Sequence, residues 1–169
     1  MSLKLSEITG YSSSYDVLGY LLRLMSSIWH RQLNAELAKI GLTEMQFVLM
    51  IGLGWLLESN VKGVSQRQLA DACGISTALA SQVMKPLTKK GLVEVGPHAS
   101  DARARVVSLS AEGEAKLKEA AAILRRADEE FRSDNPKVYD KLFKALREAV
   151  NVKMKLAGEH PEDLGAMPR

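Results

Sequence analysis

Between Thr77 and Lys89 the side chains able to do chemistry share one face of a helix. At about 100° per residue, Thr77, Ala78, Ser81, Gln82, Lys85 and Lys89 gather on one side, while Leu79, Val83 and Leu87 recur every four residues and point at a core. The first side carries hydroxyls, an amide, two ammoniums and a methyl. Such a set suits duplex DNA: Gln pairs bidentately with adenine, Lys reaches guanine or phosphate, and small side chains let the helix approach base edges closely. A solvated helix face is polar in many small domains, so the elements around it must decide.

Ser65 and Gln68 have capping-box spacing and predict a helix start, running through Leu69 and Ala70 and stopping at Gly74. Ser76 then caps the second helix. Ala70, Gly74, Ala80 and Val83 are small enough for two helices crossing around a short turn, a helix-turn-helix. Pro86 lies inside the second helix and predicts a kink or a loosened last turn near Lys85, with Leu87 keeping the apolar register. Leu92 to Val95 and Val106 to Leu109 are short β-rich runs separated by the turn-rich, cation-ending Gly96 to Arg103. A basic β-hairpin directly after a helix-turn-helix makes a winged helix.

Charge is localised in the same segment. From Lys62 to Ser110 seven cations face three acids, a net of +4, whereas the chain before it sums to −1 and the chain after it to 0. A local cationic footprint is what a phosphate backbone attracts; a chain-wide excess would indicate only solubility or a generic polyanion preference.

The run from Ser65 through Gly91-Leu92-Val93, then Asp101-Ala102-Arg103, then a β-run ending in Leu109-Ser110 with Gly113 following, resembles the MarR family of bacterial transcriptional regulators. Its most specific part is an Asp and an Arg two apart after Lys-Lys-Gly-Leu-Val. The resemblance implies a mainly α fold with a small β-hairpin wing, in which a winged helix-turn-helix core is flanked by N- and C-terminal dimerisation helices. It further implies a homodimer on a pseudo-palindromic operator, with the second helix in the major groove and the wing arginine in the minor groove. Candidate DNA contacts are Gln66, Arg67, Ser76, Thr77, Ala78, Ser81, Gln82, Lys85, Lys89, Ser100, Asp101, Arg103 and Arg105. Three positions depart from the family pattern, one of them Pro86 inside the second helix. Val95 stands where a basic residue is usual, and Ala102 where a second wing arginine is common, with Arg105 as a substitute.

Residues 1–14 are expected to form a flexible arm, 15–59 the supporting and dimerising N-terminal helices, 60–110 the winged lobe, 111–157 the C-terminal dimerisation helices and 158–169 a loose tail. Leu18, Leu21, Leu22, Met25, Ile28, Trp29, Leu33 and Leu37 trace one long apolar stripe. Thr43 and Gln46 repeat the capping-box spacing before Phe47, Met50, Ile51, Leu53 and Leu56. Two further stripes, Leu117 to Phe131 and Tyr139 to Met154, are separated by Asn135-Pro136. This exceeds what one small domain buries, so the ends of two chains are expected to pack together.

The resemblance also implies an effector pocket between the dimerisation helices and the winged lobe. Met25, Trp29, Met50 and Trp55 are candidate lining residues, although Met and Trp at helical spacing are commonly core. The effector class is a small aromatic or amphipathic molecule whose anionic group meets Arg23, Arg31 or Arg67.

Other chemistry finds no support. His30, His98 and His160 are too scattered for a metal site, and no cofactor motif is present. Neither a nucleophile-base arrangement nor a paired carboxylate marks an enzyme. The single cysteine, Cys73, fits packing better than redox sensing. With 169 residues, 46% hydrophobic and 25% charged, the chain reads as an ordinary globular protein. It has no spanning apolar run and no signal peptide, and is expected in the cytoplasm. The leading reading is a DNA-binding repressor or activator. The alternative, to which Val95 and Pro86 lend weight, is a winged-helix protein-interaction module that has lost or weakened specific DNA binding.

Overall fold

Local signals start most of the helices. In a computed structural model that describes residues 4–59, 63–97 and 105–157, α1 (Leu5–Thr9) and a 3-10 turn (Ser14–Asp16) precede α2 (Leu18–Ala38) and α3 (Glu44–Glu58). Then come α4 (Gln66–Ala72), α5 (Thr77–Lys89), the strands β1 (Val93–Pro97) and β2 (Arg105–Leu109), α6 (Ala111–Ser133) and α7 (Pro136–Ala157). Both expected capping boxes form: Thr43 and Ser65 accept from the amides of Gln46 and Gln68, whose side chains reach back to the cap amides. Ser76 and Ser110 cap α5 and α6 through Leu79 N and Gly113 N. Pro136 opens α7, where its missing N–H costs nothing.

The segment expected as an arm holds a helical turn closed by Gly10 at φ +73°. The long helix begins at Leu18, after a third capping box in which Ser13 and Asp16 pair across the 3-10 turn. Residues 1–3, 60–62, 98–104 and 158–169, which include most of the expected wing loop and the expected tail, lie outside the described residues.

The core gathers Leu33 and Leu37 of α2, Phe47, Leu49, Met50 and Leu53 of α3, Leu69 and Ala70 of α4, Ala80, Met84 and Leu87 of α5, Leu92 and Val93 at β1, Val107 of β2 and Ala120, Ile123 and Ala127 of α6. Within α5 the buried stripe is Ala80, Met84 and Leu87, one position round from the expected Leu79, Val83 and Leu87. Val83 still packs against the core edge. The choice is made by contact with α3 and α4, which α5 crosses.

β1 and β2 pair antiparallel from Val93 opposite Leu109 to Pro97 opposite Arg105. Gly96 and Pro97, expected in the loop, therefore extend the first strand. The chain just before α4 adds a third stub: Val107 N donates to Val64 O at 2.8 Å, and Ser65 bridges Val106. The hairpin is thereby fixed to the start of the helix-turn-helix.

Candidate nucleic-acid interface

The outward face of α5 forms because its opposite face is sealed in the core. Thr77, Ala78, Gln82, Lys85 and Lys89 are exposed, and Ser81 is half-buried at the edge. Among the described residues no hydrogen bond or ion pair engages the side chains of Gln82, Lys85 or Lys89. They are free to meet a ligand. Pro86 does not end the helix, which continues to Lys89, and its carbonyl accepts from Lys90 N at 3.0 Å.

The other expected contacts divide. Arg67 projects from α4 with its side chain 85% exposed and lies 3.9 Å from Asp71. Gln66 instead donates from Nε2 to the Thr77 carbonyl at 3.4 Å, bridging the two helices of the motif. Ser76 spends its hydroxyl on the α5 cap, leaving its exposed edge beside Thr77. Arg105 is exposed on β2 at the outer end of the described wing. Ser100, Asp101 and Arg103 lie outside the described residues.

The two helices that precede the lobe are tied to each other. Glu44, first in α3, receives His30 of α2 through an imidazole-carboxylate contact, while its own amide donates to Asn34 Oδ1 at 2.8 Å. Neither link is visible as a motif, because the partners lie 14 and 10 residues apart. Cys73 caps the end of α4, half-buried, with Sγ 3.6 Å from the Val48 carbonyl. Burial pushes its thiol up to about 11, the opposite of what a reactive thiolate needs.

A groove of about 380 Å³ opens between α2, α6 and α7. Of the expected lining residues it contains Met25 and Trp29. Met50 is instead fully buried in the core, and Trp55 is half-buried on α3 and does not line this groove. Phe131 and Tyr139 complete an aromatic wall: Trp29 meets Phe131 edge-on at 5.2 Å, and Phe131 stands 5.3 Å from Tyr139. The cation at the groove is Arg132, which pairs with Asp140 and lies 5.9 Å over the Phe143 ring. Arg23, Arg31 and Arg67 are not among its lining residues.

The MarR family pattern matches residues 53–104. The uncharacterized HTH-type transcriptional regulator YdcH of Bacillus subtilis is 30% identical over 113 residues, which cover 67% of this chain and 76% of the relative. The chain belongs to the MarR family. The HTH-type transcriptional repressor Rv2887 of Mycobacterium tuberculosis is 31% identical over 111 residues, covering 66% of this chain and 76% of the relative. The crystal structure of that MarR-family protein in complex with DNA aligns over 79% of this chain and 97% of its own, with TM-score 0.61 and 27% identity. Its complex with salicylic acid aligns with TM-score 0.59. A probable transcriptional regulator from Pseudomonas aeruginosa has the same fold, with TM-score 0.70, 23% identity and coverage of 82% of this chain and 99% of the other. As a MarR-family member the chain is a transcriptional regulator and not an enzyme. Among the described residues no helix is long and apolar enough to cross a membrane.

Proposed function

We propose that this MarR-family regulator binds a pseudo-palindromic DNA operator as a homodimer, inserting α5 in the major groove and its wing in the adjacent minor groove. One observation carries the reading: Gln82, Lys85 and Lys89 form an exposed, uncommitted row on a helix whose other side is locked in the core. Rigid placement of donors is what base readout requires. Ser100, Asp101 and Arg103 join the proposed contact set from their place in the sequence, and the exposed Arg67 and Arg105 belong to it as well.

Dimerisation is supported by where apolar surface remains. Leu18, Leu21 and Leu22 on α2 and Phe143, Val150 and Leu156 on α7 are exposed in the single chain. Within the described winged lobe Val95 is the one large apolar side chain so exposed, and one valine makes no docking patch. That distribution disfavours a protein-binding role for the lobe and favours a second copy across the long helices, which would set two α5 faces about one DNA turn apart.

An aromatic acid is the proposed effector. The Trp29, Phe131 and Tyr139 wall offers ring contacts and Arg132 offers charge, and the Mycobacterium tuberculosis relative has been crystallised with salicylic acid. Binding that favours a half-site spacing unlike the operator's would release DNA by population shift.

Selection from random duplexes, followed by fluorescence anisotropy over a salt series, tests the reading. The expected result is a two-fold-related site, a complex of two chains per duplex by sedimentation, and affinity that falls steeply with salt. Failure to enrich any sequence would overturn it.

A further inference from the structure

Lys90 belongs to the cationic excess of the winged lobe but not to its free face. It follows α5 directly, turned about 100° from Lys89. Its Nζ donates to the Gly41 carbonyl at 2.6 Å and to Gln46 Oε1 at 3.2 Å. Gly41, at φ +75°, forms the corner between α2 and α3. Gln46 is the one buried polar side chain among the described residues, 6% exposed, and its Oε1 also accepts from Thr43 N. One ammonium thus closes the network that starts α3.

The residues that follow are gripped from the other side. Ser110 Oγ donates to the Gly91 carbonyl at 2.6 Å, and Ser110 N donates to the Leu92 carbonyl at 3.2 Å. Ser110 is also the cap of α6. The turn behind α5 is therefore held between the end of α2 and the start of α6, the two long helices that leave the lobe.

We propose that Lys90 is a positioning residue, not a phosphate contact: its ammonium locks the α2–α3 corner to the end of the recognition helix, so that displacement of α2 re-aims α5. The inference rests on the DNA-binding reading. A neutral replacement should be tolerated by the fold, because the Gly41 carbonyl sits at the exposed surface and Gln46 Oε1 keeps its bond from Thr43.

The test compares wild type, Lys90→Met, Lys90→Arg and Lys85→Met for affinity to the selected operator across a salt series. Lys90→Met should bind about tenfold more weakly at every salt concentration with an unchanged slope of log K against log salt. Lys90→Arg, which retains donors for both acceptors, should recover most of that loss. Lys85→Met should flatten the slope by about 0.9, the value of one phosphate contact. A similar flattening in Lys90→Met, wild-type affinity in Lys90→Met, or no recovery in Lys90→Arg would each overturn the proposal.

Amide hydrogen exchange on the free protein supplies a readout independent of DNA. Lys90→Met should speed exchange several-fold at Leu42, Gly91 and Leu92, with the buried amides of α3 and α6 unchanged. Acceleration spread over the whole chain would identify a merely structural residue and count against positioning. If wild type binds no duplex, the DNA reading falls, and the exchange pattern still decides whether Lys90 locks the corner.

Discussion

Gly113, in the first turn of α6, lies against the Leu92 backbone so closely that a β-carbon added to it would stand 1.9 Å from the Leu92 carbonyl oxygen. That oxygen accepts from Ser110 N and cannot turn aside without breaking the α6 start. Gly113→Ala should therefore lower unfolding free energy by about 3 kcal/mol, the upper end of ordinary overpacking. For a chain of this size the thermal midpoint should fall by roughly 6 to 12 °C. Urea and thermal denaturation at fixed protein concentration check both figures.

Met84 and Gln82 sit on opposite sides of α5 and should separate stability from recognition. Met84→Ala removes a side chain 4% exposed and should cost about 2 to 4 kcal/mol. Gln82→Ala should change stability by less than about 0.5 kcal/mol while weakening operator binding by about 1 to 3 kcal/mol, with discrimination relaxed at one base position. Denaturation and anisotropy on the same preparations test the pair.

Cys73 should be inert at neutral pH. With its thiol raised from 9.0 to about 11, the folded protein carries about a hundredfold less thiolate than an unperturbed cysteine, and alkylation by iodoacetamide should slow by at least that factor. The linkage has a definite sign. Because the folded value is raised, the unfolded chain gives up its proton first, and stability present below pH 9.0 declines as pH rises towards about 11. Cys73→Ala should remove that part of the alkaline loss in pH-dependent urea melts.

Trp29 gives an optical test of the effector groove. Only two tryptophans occur in the chain, so Trp55→Phe leaves Trp29 as the sole reporter. Salicylate should quench it saturably and lower operator affinity over the same concentration range. Quenching without DNA release would separate the groove from regulation.

Val150 should report the proposed dimer. It is 53% exposed on the α7 face shared with Phe143 and Met154, so Val150→Asp should leave the helical circular dichroism of the chain intact and shift sedimentation towards the single chain. An unchanged sedimentation profile would place the dimer contact elsewhere.

The helix-turn-helix was legible because its signals are local. Ser65 with Gln68, Gly74 and Ser76 each act within a few residues, so the order and starts of α4 and α5 follow from spacing alone. The register of α5 did not, since Leu79-Val83-Leu87 and Ala80-Met84-Leu87 are both helical stripes, and only packing against α3 and α4 selects the second. The Lys90 contacts were equally hidden: charge counting treats every ammonium alike, although this one reaches across 49 residues to Gly41. Arg132 escaped for a related reason. It lines the same groove as Trp29 only because α6 packs on α2, whereas Arg23 and Arg31 are near Trp29 in sequence.

Pro86 has no N–H to give the Gln82 carbonyl, and beyond the helix's own bonds the last turn of α5 is tied down from Lys90 N to Pro86 O and from Leu92 N to Leu87 O. The junction that follows thus shares in holding that turn. Transplanting only the outward side chains of Thr77 to Lys89 into another regulator would carry the letters of the code without their spacing. A faithful exchange of specificity must move the segment through Leu92 as a single block.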